Sequence, residues 1–184
     1  MINIQINPNL KLKHLEKKEA KEVFDFIEKN RAHLKKWLNW VNFIQSLEQE
    51  KKYLASLSQD IFKSPTIDLG IWYEDKLIGT MGLINIDRLN RNANLGYCLD
   101  SEFENKGIMT ECCEKFIDFS FKSLNLHRIE IRTAVDNFRS KAVARRLGFK
   151  PEGVLKEVYF INNEFIDCEI FSKIKSEIKP FVNI

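Results

Sequence analysis

The chain has 184 residues, 44% of them hydrophobic, which is the length of one ordinary domain with enough apolar content for its own core. Its 29 Lys and Arg against 26 Asp and Glu leave a formal net charge of +3, well below that of a dedicated nucleic-acid-binding domain. The apolar runs fall short of the ~20 residues that a membrane span needs, so we expect neither nucleic-acid nor membrane binding.

The first half of the chain predicts one strand, three helices and three more strands. Alternation of apolar and polar residues over 10–15 predicts a half-buried strand. Apolar residues at helical spacing then predict helices over 17–29, 33–40 and 46–62. Ser46 with Gln49 three residues later is typical of a capped helix start, and Pro65 should stop that helix. Three strands follow, over 68–73, 76–86 and 93–99, the first two joined by a tight turn at Glu74–Asp75.

The second half alternates helices and strands. We expect a helix near 107–124, a strand at 128–135, a helix at 139–147, and strands near 154–161 and 165–174. Gly148 is a natural end for the second of these helices, and Asn162–Asn163 suits a type I′ hairpin turn. The order predicts one α/β (α+β) domain spanning 1–184, with a mixed sheet covered by helices.

The cysteines, histidines and N-terminal residues bear on location and metal binding. Cys98, Cys112, Cys113 and Cys168 form no CxxC pair and no spacing suited to zinc, so we expect free thiols in a reducing cytosol. Three scattered histidines without an HExxH motif predict no metal enzyme. The first residues, MINIQINPNLKLK, lack the apolar core of a signal peptide, which agrees with a cytoplasmic protein.

A strand-to-helix junction at 95–111 is the first candidate site. Gly107 stands where the chain enters an amphipathic helix, and free backbone N–H groups at a helix start bind anions. A single glycine at such a place is also an ordinary turn residue. Neither GxGxxG nor GxxxxGK[ST] is present, which argues against a dinucleotide-binding fold or a nucleotide hydrolase.

The second candidate lies at 136–149, where Asn137 and Ser140 come at the end of a strand and in the first turn of the next helix. Asn137 is equally typical of a plain helix cap, with the apolar side of the helix packed inward. Two helix starts beside neighbouring strands are more informative than either one alone.

Together these segments resemble the GNAT superfamily of N-acetyltransferases. The resemblance rests on Gly-Tyr-Cys-Leu-Asp at 96–100, Phe-Glu-Asn-Lys-Gly-Ile-Met-Thr-Glu at 103–111, Asn-x-x-Ser at 137–140 and Arg-Arg-Leu-Gly-Phe at 145–149. The Trp-containing segment at 33–40 and the residues at 159–167 are similar to the Rim-type subgroup, which acetylates the N-termini of ribosomal proteins. The resemblance implies the GNAT fold, a mixed and mostly antiparallel sheet of about seven strands with a bulged central strand and helices on both faces.

The resemblance also implies acetyl-CoA as cosubstrate and assigns residues to it. Glu104 and Met109 depart from the family's phosphate loop while Gly107 stays, and a carboxylate at 104 should point away from the phosphates. Backbone amides can still hold the pyrophosphate, since that role needs no side chain. The residues expected at the coenzyme are Tyr97, Cys98, Leu99, Asn105, Lys106, Gly107, Ile108, Met109, Thr110, Asn137, Lys141 and Arg145.

For the chemistry, the resemblance implies direct transfer to an amine. Ser140 matches the subgroup's general acid toward the departing thiolate. A strand bulge at Gly96–Tyr97 is expected to free the amide of Cys98 or Tyr97 as oxyanion donor. The general base is open between Glu157, Tyr159, Tyr97 and a water chain. A ping-pong route through the Cys98 thiol is rejected, because the family transfers directly and a strand cysteine is ordinarily a small apolar residue.

The acceptor is the least constrained part of this hypothesis. Trp37 and Trp40, three residues apart on the predicted helix, could wall an acceptor cleft or pack in the core. A protein N-terminus, in particular a ribosomal one, is the leading acceptor; a polyamine, an amino acid or an antibiotic is the alternative. A coenzyme-binding module without catalysis is the third hypothesis, and a homodimer is left open.

Overall fold

Eight strands form one sheet in this protein. The structure is a computed structural model that describes residues 2–57 and 60–177. The strand order is β1-β2-β3-β4-β5-β6-β8-β7. In chain order, the strands are β1 (Asn3–Asn7), β2 (Leu10–His14), β3 (Ile67–Tyr73), β4 (Lys76–Asp87), β5 (Asn92–Leu99), β6 (Arg128–Ala134), β7 (Lys150–Ile161) and β8 (Glu164–Ile174).

The helices cover the two faces of the sheet. They are α1 (Ala20–Leu34), α2 (Leu47–Ser56), α3 (Ile108–Lys122) and α4 (Phe138–Arg146). One apolar core lies under α3 and α4, where Phe116 and Phe121 are fully buried. A second core, containing Phe26 of α1 and Leu54 of α2, lies on the opposite face with Cys98 of β5. The α1–α2 face and the α3–α4 face are therefore separate environments. No helix in the described ranges is long and apolar enough to span a membrane.

The sheet opens between β5 and β6. These two strands are parallel and pair only over Asn92–Asn94 with Arg128–Glu130, whereas the other neighbouring strands are antiparallel. Beyond that point β5 continues along β4, and β6 continues along β8. A wedge-shaped gap, called the opening below, therefore begins at Leu95, and within residues 2–57 and 60–177 no strand pairs with that edge of β5.

The structure confirms the predicted turns and two of the predicted helix ends. Glu74 and Asp75 both have positive φ, as do Asn162 and Asn163, which is the backbone of type I′ hairpin turns. Gly148 has φ +76 just after α4 and ends that helix. The side chain of Ser46 accepts a hydrogen bond from the Gln49 amide, which confirms Ser46 as the N-cap of α2.

Two predictions about strands are corrected by the structure. A strand was missed at Asn3–Asn7: it pairs with β2 at the edge of the sheet and has no fully buried residue, so its alternation is weak. The bulge expected at Gly96–Tyr97 is also misplaced, because the β4–β5 register is regular there. The extra residue lies on β4 between Ile84 and Asp87, where Asn85 has φ +54.

The helices predicted at 33–40 and 46–62 are also corrected. α1 runs on to Leu34, the backbone of Leu38 is extended, and only a 3₁₀ turn at Asn39–Asn42 follows. Trp37 and Trp40 therefore do not share a helix face. α2 ends at Ser56 because Leu57 has extended backbone angles; the next two residues, 58 and 59, lie outside the described ranges.

Candidate active site

The segment before α3 forms an open cradle of backbone amides. Gly107 is the N-cap of α3 with φ +80, and a Cβ added there would meet no atom within 4 Å. Among the described residues, no acceptor is found for the amides of Ile108, Met109 and Thr110, as is usual in the first turn of a helix. Asn105, two residues before this N-cap, also has positive φ. The segment fits a bound anion such as a diphosphate.

The Glu104 carboxylate, just before the cradle, is held by two side chains. Its Oε1 lies 2.9 Å from Nε2 of His33, at the end of α1, and its Oε2 contacts a guanidinium nitrogen of Arg139, in the first turn of α4. The carboxylate is mostly buried between these two partners. The departure from the family pattern at 104 is thus matched by a cation on α4.

Three basic residues of α4 contact two different elements, β8 and α3. Lys141 lies 3.2 Å from a carboxylate oxygen of Glu169 on β8, and Arg145 lies over the ring of Phe171 and 3.9 Å from the same carboxylate. Both predicted coenzyme contacts are thus engaged by β8. Arg146, which the sequence did not single out, reaches the Oγ1 of Thr110 in the first turn of α3 at 3.4 Å. In the sequence, only its position next to Arg145 could have pointed to Arg146 as a residue near the cradle.

Lys106 and Leu99, also predicted at the coenzyme, lie at the two ends of the segment that leads to the cradle. The Lys106 ammonium lies over the ring of Phe103, 5.1 Å from its centroid, and is exposed. Leu99 is the last residue of β5 and is buried. The side chain of Lys106 therefore remains within reach of solvent and of an anion at the loop.

Tyr97 and Ser140 come together on the α3–α4 face. The phenol oxygen of Tyr97 lies 3.0 Å from the Ser140 Oγ and donates to the Ser140 carbonyl at 3.2 Å. Asn137 caps α4, accepting from the Ser140 amide at 3.1 Å, which fixes the first turn of the helix. Burial raises the pKa of Tyr97 above its ordinary value, against a smaller opposing effect of the Ser140 contact, so the phenol is neutral at physiological pH.

The backbone of β5 decides which amide faces the opening. The Asp100 amide donates to the Ile78 carbonyl of β4 at 2.7 Å, and in an antiparallel ladder every second residue points the same way. Cys98 therefore directs its amide to β4, in register with Thr80. The amides of Tyr97 and Leu99 are directed to the opening. The prediction of the Cys98 amide as oxyanion donor is therefore wrong, because this amide is directed to β4. The Tyr97 amide stays the predicted donor.

The Cys98 thiol has no place in this arrangement. Its Sγ is buried on the α1–α2 face, 3.2 Å from the Oγ1 of Thr80, and burial raises its pKa above the ordinary value. A thiol held in its neutral form is a poor nucleophile.

Glu157 and Tyr159, two of the candidate bases, lie on the edge strand β7. Two strands separate β7 from β5, which amounts to about 14 Å across the sheet at 4.7–4.9 Å per strand. Glu157 is exposed, with φ +53 in an irregular stretch, and its amide donates to Asp167. Burial raises the pKa of the Tyr159 phenol to about 12. The structure does not bring either residue to the Tyr97–Ser140 pair.

A surface cavity of about 140 Å³ lies between the segment after α1, the end of β6 and the β7–β8 hairpin. Trp37 lines it together with Asp136, Glu164 and Asp167. Trp40, with 37% of its surface exposed, is not part of its lining. One of the two predicted acceptor-binding tryptophans is thus at a cavity. Within the described ranges, no group of three or more His, Cys, Asp or Glu side chains is arranged to hold a metal ion.

Comparison with protein families finds one matching model. Residues 9–150 match the acetyltransferase (GNAT) domain. The matched residues include the opening, the cradle before α3 and the Tyr97–Ser140 contact.

Two curated relatives and one solved structure are similar over nearly the whole chain. A putative ribosomal N-acetyltransferase, YdaF, of Bacillus subtilis is 33% identical over 96% of this chain and 97% of the relative. The ribosomal-protein-serine acetyltransferase of Escherichia coli is 32% identical over 93% of this chain and 96% of the relative. The solved structure of RimL, a ribosomal L7/L12 alpha-N-protein acetyltransferase in complex with coenzyme A, superposes with a TM-score of 0.90 at 25% identity. It covers 94% of this chain and 98% of that one.

Proposed function

We propose, from the premise that this chain belongs to the GNAT family of acetyltransferases, that it transfers an acetyl group to the N-terminal amine of a ribosomal protein. The chain is an acyltransferase that uses acetyl-CoA. The proposal concerns the acceptor and the residues that carry the reaction. We also propose that it works in the cytoplasm, where ribosomal proteins are made.

The coenzyme is proposed to lie with its diphosphate on the amides of Ile108, Met109 and Thr110. When bound, acetyl-CoA supplies a thioester whose carbonyl carbon accepts a nucleophile. Gly107 leaves room for phosphate oxygens to approach the backbone, and the helix dipole of α3 favours their charge. Arg146, held against Thr110, adds a cation beside this turn.

The opening between β5 and β6 is the single observation that carries the reaction. There the amides of Tyr97 and Leu99 are directed away from β4, so one of them can donate to the oxygen that becomes negative as the amine adds to the carbonyl. Ser140 stands on the α3–α4 side of the same opening. As the carbon–sulfur bond breaks, the Ser140 hydroxyl delivers a proton to the thiolate and takes one back from solvent.

Tyr97 is proposed to orient Ser140. With its phenol neutral, Tyr97 turns its single proton from the Ser140 carbonyl to the Ser140 Oγ as that oxygen gains negative character. The Asn137 cap holds the same turn of α4 from the other side.

The ribosomal acceptor is supported by relatives whose similarity spans the acceptor side of the chain. The 32–33% identity extends over 93–96% of the residues, which includes the elements around the Trp37 cavity. A flat aromatic wall on a surface cavity suits an extended peptide, since it contributes contact area with few rotatable bonds. The carboxylates of Asp136, Glu164 and Asp167 in the same lining keep a small polyamine as the second candidate.

A competition between acceptor classes tests the proposal. Peptides that copy ribosomal-protein N-termini, polyamines and aminoglycosides are each incubated with the enzyme and acetyl-CoA, and free thiol release is recorded. We expect the highest kcat/KM with a peptide, and mass spectrometry should locate the acetyl group on its α-amine. A higher kcat/KM with a polyamine would overturn the proposed acceptor.

A further inference from the structure

A polar cluster lies on the α1–α2 face of the sheet, partly open to solvent. It consists of Glu50 and Tyr53 of α2 and Asp68 of β3, and we call it the acidic cluster. The Tyr53 hydroxyl donates to the Oδ2 of Asp68 at 2.5 Å. Glu50 is only 2% exposed, and no residue in the described ranges hydrogen bonds its carboxylate. Two carboxylates therefore lie near each other with one hydroxyl donor, Tyr53, on Asp68, an arrangement that favours holding a proton.

Two glycines let the Asp68 carboxylate extend along the sheet. Asp68 is in register with Gly82 of β4, and Gly82 is in register with Gly96 of β5. A Cβ at Gly82 would lie 2.8 Å from the Oδ1 of Asp68, so this oxygen lies over Gly82. Because Tyr53 holds Oδ2, the oxygen on the side of the glycines is the one left to act.

The surface above Gly96 is open although β5 is a central strand. Gly96 is exposed, and a Cβ added to it would meet nothing within 4 Å. Its α1–α2 face is the face of Cys98, two residues further along β5. Gly96 adjoins Tyr97, whose amide is directed to the opening. A molecule standing on Gly96 is therefore one residue from the proposed oxyanion donor, on the side of the sheet opposite Ser140.

We propose that the space above Gly96 receives the acceptor amine and that Asp68 is its general base. The inference deepens the proposed function and rests on it. The amine nitrogen, in its neutral form, bonds to the acetyl carbon, and its proton passes to the Asp68 carboxylate as the carbon–sulfur bond breaks. The thiolate receives its proton through Ser140. Asp68 then releases a proton to solvent and Ser140 recovers one, so atoms and charge balance.

The surroundings of Asp68 suit this role. Burial raises its pKa above the ordinary value, against the opposing hydrogen bond from Tyr53. Burial and the Asp68 charge raise the pKa of Glu50 to about 7. Among the described residues, the titratable groups with an electrostatic interaction with Asp68 are Glu50 and Tyr53 from α2 and Cys98 from β5, and none of these three is a cation. A more basic carboxylate is a better proton acceptor near neutral pH.

The experiment compares Asp68→Asn with Glu19→Gln. Glu19 is a buried carboxylate paired with Lys13 near the outer strands of the sheet, away from Gly96, and its variant should keep wild-type activity. Asp68→Asn should lower kcat by ~100-fold or more with acetyl-CoA affinity within about twofold of wild type, as loss of a general base predicts. The wild-type rate should fall toward low pH as Asp68 takes up a proton, and the Asp68→Asn rate should lack that fall. A folded Asp68→Asn with unchanged kcat would overturn the inference.

A second variant keeps the test decisive if Asp68→Asn does not fold. Gly96→Ala adds one methyl group into open space, so the fold should be unaffected. It should raise the KM for the acceptor at least fivefold and leave the affinity for coenzyme A, measured by calorimetry, unchanged. An unaltered KM for the acceptor would overturn the proposal that the acceptor amine binds above Gly96. Both assays use whichever amine the enzyme acetylates fastest, so an error in the proposed ribosomal acceptor leaves these outcomes readable.

Discussion

The phenol of Tyr97 and the hydroxyl of Ser140, 3.0 Å apart, join two parts of the sheet that no backbone ladder joins at that level. Tyr97 belongs to β5, and Ser140 to the helix that follows β6. The contact spans the opening on the α3–α4 face, so the two side chains limit the width of the gap there.

Ser140→Ala should lower kcat by roughly 10- to 100-fold, near the low end of general acid catalysis, with little change in coenzyme affinity. The assay is steady-state turnover at saturating acetyl-CoA, under conditions where chemistry limits the rate. Ser120→Ala is the matched control, because Ser120 is buried in α3 and donates only to the Phe116 carbonyl. Unaltered turnover in Ser140→Ala would leave that serine an ordinary first-turn residue.

Tyr97→Phe should slow turnover through Ser140. The variant keeps the ring and removes the oxygen that contacts the serine, so a double-mutant cycle with Ser140→Ala should be non-additive. We expect the double variant to be about as slow as Ser140→Ala alone. Tyr73→Phe, on β3, removes a phenol oxygen elsewhere and should change nothing. Additive losses in the cycle would contradict the proposed orientation of Ser140 by Tyr97.

Gly107→Val should weaken coenzyme binding more than tenfold. The side chain would occupy the open cradle and would also strain a residue at φ +80. Gly148→Val separates these effects, since Gly148 also has a positive φ, +76, but follows the end of α4 and lies outside the cradle. Both variants should melt at lower temperature, but only Gly107→Val should lose affinity for coenzyme A in calorimetry. Equal affinity in the two variants would move the diphosphate elsewhere.

Trp37→Ala should raise the KM for a peptide acceptor several-fold and spare that for acetyl-CoA. Trp37 lines the surface cavity, and its loss removes one wall. Trp40→Ala, outside that lining, is the control and should behave as wild type. The same KM in both variants would show that the peptide binds in another place.

Glu50 should make stability depend on pH. Its folded-state pKa of about 7 exceeds the ordinary 4.5, so the folded chain holds this proton more tightly, and Glu50 contributes stability below pH 4.5. That contribution falls as pH rises through 7. Glu50→Gln should therefore flatten the decline of the melting temperature between pH 5 and pH 8. An identical decline in wild type and variant would contradict a raised pKa at Glu50.

The parts that the sequence predicted are those decided by neighbours along the chain. Asn162–Asn163 and Gly148 need positive φ, and such positions favour Asn and Gly whatever lies around them. The positions of Gly107 before α3 and of Ser140 in the first turn of α4 were predicted because each helix follows a strand closely along the chain. The missed strand β1 has few buried residues, so its pairing with β2, and not its own pattern, defines it.

The parts that escaped prediction depend on contacts between distant residues. Asp68 lies near Gly96 only because three strands share one register. The direction of the Cys98 amide follows from its pairing with Thr80, eighteen positions earlier. Arg146 reaches α3 while Arg145, beside it, reaches β8, and helix rotation alone separates the two. None of these relations has a signature in spacing or composition.

Glu104 joins the ends of two helices, since its carboxylate contacts both His33 and Arg139. Replacing Glu104 with a neutral glutamine would leave Arg139 without this counter-charge. The three positions should therefore be coupled in evolution. Homologues in which residue 104 is substituted should also carry a substitution at 33 or 139. An alignment of homologous sequences should then show covariation among positions 33, 104 and 139.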